Sequence, residues 1–557
     1  MRKSYVILLA ALLVFGLTAS VLAAPKYGGI WRDALNANPP DLNPVHATDT
    51  TSAEVIYQIF ESLVEIDNEG NIVPLLAESW TSNEDGTVFT FKLREGVRFH
   101  ATTEGGKPTA NGGREMTADD VVWTFNHICN IDVNSERAYF VDMIKGYDDY
   151  RNNITDDLTG VKALDKYTVQ FELSYPFAPF ISILGYNSFM ILPREDVEKW
   201  GHAEFNFHPV GTGPFKFEEW VQDSKVVLSK NENYWMKDAD GNQLPYLDGI
   251  EYRIIVDHNI EWTEFLAGNL YQVYVDDPYY EQAGGTKMTI NLETGLKTAV
   301  TNLGVFYERP QLGTYYYGMN VEKPPFNDKR VRQALNYAIN REVLIDLVLN
   351  GRPSPAKGVL PPGMMAYNPD LAGYTYNPEK AKQLMAEAGY GPNNPLEVDF
   401  YYNTHTGHKR IAEALQSQYA QIGIKLNLKN IDWGSLLDGV ERGEYSFFRM
   451  GWVVDYPDPD NFLYVLLHSE NIGAQGNYAR FNNPRFDELT KLARLETDTA
   501  KRIQYYQEAE QIVVEEAPWV FIYHYATFSK VAPFVRGYEL PSFGQYANKF
   551  RSVWLDL

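Results

Sequence analysis

Thr87-Val88-Phe89-Thr90-Phe91-Lys92-Leu93-Arg94-Glu95-Gly96-Val97-Arg98-Phe99 begins as a strand. Polar and apolar residues alternate from Thr87 to Leu93, so one face suits a core and the other suits water. Asn83-Glu84-Asp85-Gly86 ahead of it reads as a turn. Thr168-Val169-Gln170-Phe171-Glu172-Leu173 repeats the alternation, and the Gly-rich stretch Thr102–Arg114 reads as a surface loop. Thr117-Ala118-Asp119-Asp120 starts a helix, with acids in the first turn ahead of Val121, Val122, Trp123 and Phe125. Further on, Asp328–Ile339 is an amphipathic helix, and Asn377-Pro378 opens another that Gly389 stops. His408–Ile422 is a helix followed by the strand Lys425–Leu428, and Thr497–Glu516 is a long helix stopped by Pro518. The chain is therefore mixed α/β. The order of elements does not by itself show how its domains interleave.

The first residues read as a targeting signal. Arg2 and Lys3 precede the apolar run Val6–Leu17, and Val21 and Ala23 fit the −3 and −1 sites of a signal-peptidase cut. The run falls short of the roughly 20 residues that a spanning helix needs, so residues 1–23 are expected to be removed. Cys129 is the only cysteine. No lipid-bearing cysteine would stand at the new N-terminus, and neither an internal disulfide nor a Cys-pair metal site can form. A protein free in a periplasm is expected, with Cys129 a buried thiol in the apolar stretch Val121–Ile131.

Of 557 residues more than five hundred remain after such a cut, too many for one simple core, so two or three domains are expected. A net charge of −24 with no basic cluster repels phosphate backbones and excludes nucleic acid as a partner. The 38 Tyr and 11 Trp mostly build cores, but they also suit a pocket that stacks ligand.

Eight blocks, in order, resemble the solute-binding proteins of the peptide/nickel ABC-importer family, family 5. They are Phe60–Val64, Pro74–Trp80, Phe91–Phe99, Thr117–Val121, Val210-Gly211-Thr212-Gly213-Pro214-Phe215, Arg330–Leu335 with Ala338-Ile339, Ala381–Leu384 with Ala388-Gly389-Tyr390, and Ile422–Lys425, and Arg449–Tyr456 is in addition similar to the cleft segment of oligopeptide-binding members. They span nearly the whole chain after the signal. Gly211-Thr212-Gly213-Pro214 lacks the ending of a phosphate loop and reads as a tight turn between strands.

The resemblance implies a two-lobed periplasmic-binding-protein fold (type II, cluster C) with an extra subdomain in lobe one, closing like a hinge. It places lobe one at 24–314 with the subdomain at about 63–160, lobe two at 315–525, and a return to lobe one at 526–557. By the same resemblance, Asp455 pairs with a peptide ammonium, Trp452 lines a side-chain pocket, and Trp433, Arg449 and His408 contact peptide. Asp49 falls at an acidic contact near the peptide N-terminus. Tyr315, Tyr316 and Tyr317 lie on a crossing strand that faces the cleft at alternate positions, and Val453 adjoins Trp452 in the cleft segment. One carboxylate-binding arginine of the oligopeptide type is replaced by Val440, with Arg442 two residues away. Asp455-Tyr456-Pro457-Asp458-Pro459 also reads as a rigid turn in which Asp455 serves the backbone, and His408 as a solvated or capping residue.

The function implied is capture of oligopeptide and delivery to ABC permease subunits by a monomer, without cofactor or metal. His405 and His408 form a two-residue pair without a third metal ligand nearby. Short oligosaccharides are the alternative cargo. An exported hydrolase would need a nucleophile with a base, a carboxylate pair or a metal; neither Gly-x-Ser-x-Gly nor His-Glu-x-x-His occurs.

Overall fold

The computed structural model describes residues 24–557 apart from 276, 292–294, 350–352, 497 and 545–546. The expected signal segment, residues 1–23, lies outside the described residues, as does Thr497 at the start of the expected closing helix.

Lobe one is built on two four-stranded sheets. In the first, Ile30–Leu35 pairs in parallel with Gly249–Ile254, and Lys225–Lys230 and Phe215–Val221 continue it antiparallel. The second is wholly antiparallel, in the order Ala77–Ser82, Val88–Leu93, Thr168–Glu172, Val161–Asp165. Phe89, Phe91 and Leu93 are buried and the residues between them half-exposed, which is the alternation seen in the sequence. Helix Ala118–Cys129 packs on this sheet with Cys129 buried. At its start Thr117 N–H donates to Asp120 at 2.8 Å, satisfying a backbone donor that the helix leaves free.

A nine-stranded sheet joins the lobes. Gly304–Met319 and Trp519–Val531 run antiparallel along one another. Gln272–Tyr274 pairs with Trp519–Val531 at the lobe-one end. At the other end Phe447–Val453 pairs with Gly304–Met319, followed by Leu396–Asn403 and Ile424–Ile431. The register of the crossing pair breaks between Pro310 and Thr314. Gly313 sits in the break, where a Cβ would lie 2.7 Å from the Trp452 carbonyl oxygen and 2.8 Å from the Tyr525 ring. Only glycine lets the strands approach so closely there.

Tyr315, Tyr317 and Met319 enter a lobe-two core with Val331, Leu335, Phe400, Leu415, Tyr419 and Phe447. Helix Lys329–Tyr337 carries Val331, Ala334 and Leu335 on its buried side, with Asp328 as its cap. Asn377 caps helix Pro378–Glu387, and Gly389 beyond it has a φ of +89°. The expected helix at His408–Ile422 spans Thr406–Ala420, and the closing helix spans Thr499–Glu516.

One local reading needs correction. Gly211-Thr212-Gly213-Pro214 is not a turn between strands. It packs against the C-terminal end of helix Thr50–Ile59, with Gly213 N–H donating to Ile59 O at 2.9 Å. A Cβ on Gly211 would lie 2.2 Å from that same carbonyl oxygen. Both glycines are demanded by this close approach.

Candidate functional site between the lobes

Strand Phe447–Val453 ends beside the register break and passes into the turn Asp455–Pro459. The turn is braced from behind, because buried Arg502 donates to both carboxylate oxygens of Asp458 at 2.7 Å. Asn461 fixes the first residue of the turn. Its Oδ1 accepts from Asp455 N–H and from Trp452 Nε1, both at 2.9 Å, and its Nδ2 donates to Asp455 at 3.1 Å. The Asp455 carboxylate accepts from the Asn461 side chain and not from backbone amides, so Asn461, rather than Asp455, serves the backbone of the turn. The Asp455 side chain is only partly covered, and it faces groups of lobe one. Burial raises it to about 6, while the Arg137 guanidinium and hydrogen bonds from Asn461 and Tyr186 hold it down. Tyr57 and Tyr139 feel its charge as well.

Arg449, buried on the same strand, heads a second group. It donates to Asn403 Oδ1 at 3.3 Å and to the Tyr525 hydroxyl at 3.2 Å, and its guanidinium lies over the Tyr315 ring at 4.8 Å. Its Nε has no hydrogen-bond partner among the described residues. Gly451 makes room for Tyr525, since a Cβ there would lie 2.1 Å from the Tyr525 hydroxyl. The Tyr315 hydroxyl lies 3.3 Å from His408 Nδ1. His408 stacks on His405 at 4.2 Å, and His258 of lobe one meets His405 edge-on at 4.4 Å. Burial and the nearby Arg449 charge hold His405 and His408 well below the usual imidazole range, so both are neutral near pH 7. The capping residue of helix Thr406–Ala420 is His405, not His408: its Nδ1 accepts from Gly407 and His408 N–H.

Asp49 does a structural job. It caps helix Thr50–Ile59 by accepting from Thr51 N–H at 3.0 Å and Ser52 N–H at 3.1 Å, and Trp433 of lobe two is a further hydrogen-bonding neighbour. Half-buried Trp433 opens helix Trp433–Glu441. Val453 pairs with Gly313 at the crossing.

The expectation that alternate tyrosines of the crossing strand face the cleft needs correction, because all three are fully buried. Tyr316 stacks on Trp519 at 3.6 Å and Tyr317 packs on Phe400 at 4.2 Å; only Tyr315 reaches the site, as a support for Arg449 and His408. Strand pairing and stacking cover these rings, a tertiary effect that a run of three tyrosines does not encode. Val440 is buried in its helix, and Arg442 is exposed and ion-paired with Asp438 and Glu444, so it does not supply the replaced arginine.

The lobes touch. Tyr139 donates to Gln475 O at 2.5 Å, Phe140 meets Tyr456 edge-on at 5.6 Å, and Asp142 pairs with Arg494 at 3.4 Å. Sequence reasoning missed Arg137, Tyr186, Tyr525 and His258. Nothing in Arg137-Ala138-Tyr139-Phe140 sets it apart from an ordinary amphipathic stretch. Two open recesses, of about 860 Å³ near Glu413–Leu428 and about 580 Å³ near Glu104 and Trp220, lie away from these groups and hold no comparable set of buried charges.

A family model, bacterial extracellular solute-binding proteins, family 5 Middle, matches residues 71–474. The chain belongs to this family. It is 35% identical to heme-binding protein A of Haemophilus influenzae over 90% of this chain and 87% of that one. It is 32% identical to the dipeptide-binding protein of Escherichia coli, over 91% and 92%. The periplasmic binding protein DppA from Helicobacter pylori, solved in complex with the peptide STSA, superposes with a TM-score of 0.81 at 27% identity, over 96% of this chain and 99% of that one. The OppA complex of Haemophilus influenzae with RPPGFSPFR gives a TM-score of 0.82 at 25% identity, over 96% and 99%. The two-lobed fold and the family relation inferred from the eight blocks both hold. Among the described residues no helix is long and apolar enough to cross a membrane.

Proposed function

We propose that this family 5 chain is the capture subunit of an ABC importer and that its cargo is an oligopeptide held between the lobes. The observation that carries the cargo is the pairing of Asp455 and Arg449 on one strand–turn segment. One is a partly buried carboxylate facing the opposite lobe; the other is a buried guanidinium with an unmet donor. A peptide has an ammonium and a carboxylate to match them, and charged hydrogen bonds strengthen where water is excluded. The STSA and RPPGFSPFR complexes of the two superposed proteins support the same cargo class. The oligosaccharide alternative loses support, since the tyrosines expected to stack on sugar rings are spent on other aromatic rings of the protein.

Binding without chemistry fits a site whose imidazoles are neutral and stacked. The protein is exported and freed by cleavage after residue 23, and it acts as a monomer on permease subunits. The lobes divide at the register break near 314, with 526–557 returning to lobe one and about 63–160 forming the subdomain. Calorimetric titration with di- to hexapeptides, with hemin and β-linked oligosaccharides as other arms, tests the cargo. Micromolar or tighter binding of peptides is expected. Binding confined to hemin or sugars, or time-dependent cleavage of the peptides seen by mass spectrometry, would overturn the reading.

A further inference from the structure

Arg137 is a charged group that the peptide reading leaves unexplained. It is fully buried, just ahead of the short helical segment Ala138–Val141. Its Nη1 reaches two carbonyl oxygens at the edge of hydrogen-bonding range, Ala474 at 3.4 Å and Glu136 at 3.5 Å. Nε and Nη2 make no hydrogen bond of good geometry among the described residues, and the Tyr186 and Tyr478 hydroxyls are their nearest neighbours of that kind. The guanidinium lies 5.5 Å from the centre of the Phe140 ring and 5.6 Å from that of Trp452. Tyr186, Tyr139, Tyr478 and Asp455 are among the polar groups around it, and the Glu441 carboxyl, which burial pushes up to about 7, also feels its charge. A buried cation without a hydrogen-bonded counter-charge is costly, and such a group implies something that completes it.

The cover on Arg137 shows where that completion enters. Trp452, Ala474 and Tyr478 lie across the cleft from it, whereas Phe140 and Tyr186 lie on its own side. Parting the lobes removes the far half of the cover and opens the guanidinium toward the space in front of Asp455. The local charge then sets the chemistry. Asp455 and Arg137 together are neutral, so an ammonium brought alone to Asp455 also approaches a buried positive charge. A carboxylate arriving with it makes the four charges alternate.

We propose that Arg137 is a carboxylate subsite, and that the preferred cargo carries its ammonium and a carboxylate on the same terminal residue. The inference rests on the peptide reading and narrows it. The shared chemistry has two sources: the side-chain carboxylate of an N-terminal Asp or Glu in an ordinary peptide, and the α-carboxylate of a γ-linked glutamyl residue. The length and geometry of the subsite select between them.

Three tripeptides test it by titration calorimetry: Glu-Ala-Leu, γ-Glu-Ala-Leu and Gln-Ala-Leu. The wild-type protein is expected to bind at least one acid-led peptide about tenfold or more tighter than Gln-Ala-Leu, the worth of one charge-assisted hydrogen-bonded contact. Whichever acid-led peptide wins identifies the source. Arg137→Met keeps the length and removes the charge, and it is expected to bring the three affinities within threefold of one another. Arg137→Lys should retain part of the preference. If the wild type binds all three equally, the subsite does not exist, and that arm needs no variant to fold. If Arg137→Met weakens all three equally, Arg137 only braces the closed lobes and the proposal fails. If no peptide binds at all, the peptide reading itself has failed, an outcome distinct from binding without preference.

Discussion

Asp455→Asn should raise the stability of the ligand-free protein while weakening peptide binding. An Asp ordinarily titrates near 3.8, and burial raises this one to about 6. Each unit is worth about 1.4 kcal/mol, so the ionised form bears a cost of about 3 kcal/mol in the native state, less whatever its partial exposure returns. Because the native pKa is raised, the cost is present above pH 6 and fades as pH falls from 6 toward 4, so the empty protein gains stability on acidification. Asparagine removes the charge and keeps the bond to Asn461, whose Nδ2 can donate to an amide oxygen as it does to the carboxylate. A rise in melting temperature of a degree or more at pH 7.5 is expected, shrinking toward zero near pH 4.

Binding should move the other way. An ammonium needs the carboxylate ionised, and at pH 5 a group with a pKa near 6 is about one-tenth ionised. Wild-type affinity for a neutral-side-chain peptide should thus fall about tenfold between pH 7.5 and 5. The Asn variant should be about 10- to 100-fold weaker at pH 7.5 and nearly flat with pH. Calorimetry and thermal unfolding across that range check both halves. Unchanged peptide affinity in the variant would refute ammonium pairing, and a lowered melting temperature would refute the burial cost.

Arg502→Met leaves Asp458 buried without its bidentate partner and should cost about 3–5 kcal/mol, seen as a large drop in denaturation midpoint. Gly211→Ala drives a methyl into the Ile59 carbonyl and should cost about 1–3 kcal/mol by the same measurement. Asp142→Asn breaks the 3.4 Å interlobe pair with Arg494; it should weaken peptide affinity a few-fold and enlarge the radius of gyration of the empty protein in small-angle scattering, with little change in unfolding.

Local segments were legible for local reasons. Val88–Leu93 buries every second side chain because alternation is a property of the strand itself. Asn377-Pro378 and Asp328 cap helices because their side chains or rings satisfy needs within one turn. Cys129 is buried as its apolar surroundings indicated. The site was legible in part. Asp455 and Trp452 meet at Asn461 while Arg449 heads a separate group with Tyr315 and Tyr525, and one contiguous block carries both because they share a strand and its turn. The cap made by Asp49 and the burial of Tyr316 and Tyr317 were not legible, because a carboxylate that caps a helix and a ring that stacks in a core look the same in sequence as ones that await a ligand.

The sequence by itself determined the α/β pattern, the caps and strands, and the Arg449–Tyr456 segment that presents charge at the crossing. Its order of blocks was enough to indicate the family. Tertiary structure alone decided which of those charges meet groups of the opposite lobe. The titration of Asp455 near 6, the neutrality of His405 and His408, and the meeting of Arg137 with Trp452 all depend on lobes that are distant in the chain being packed face to face. Desolvation and the field of a neighbouring charge exist only once that packing has removed the water between them.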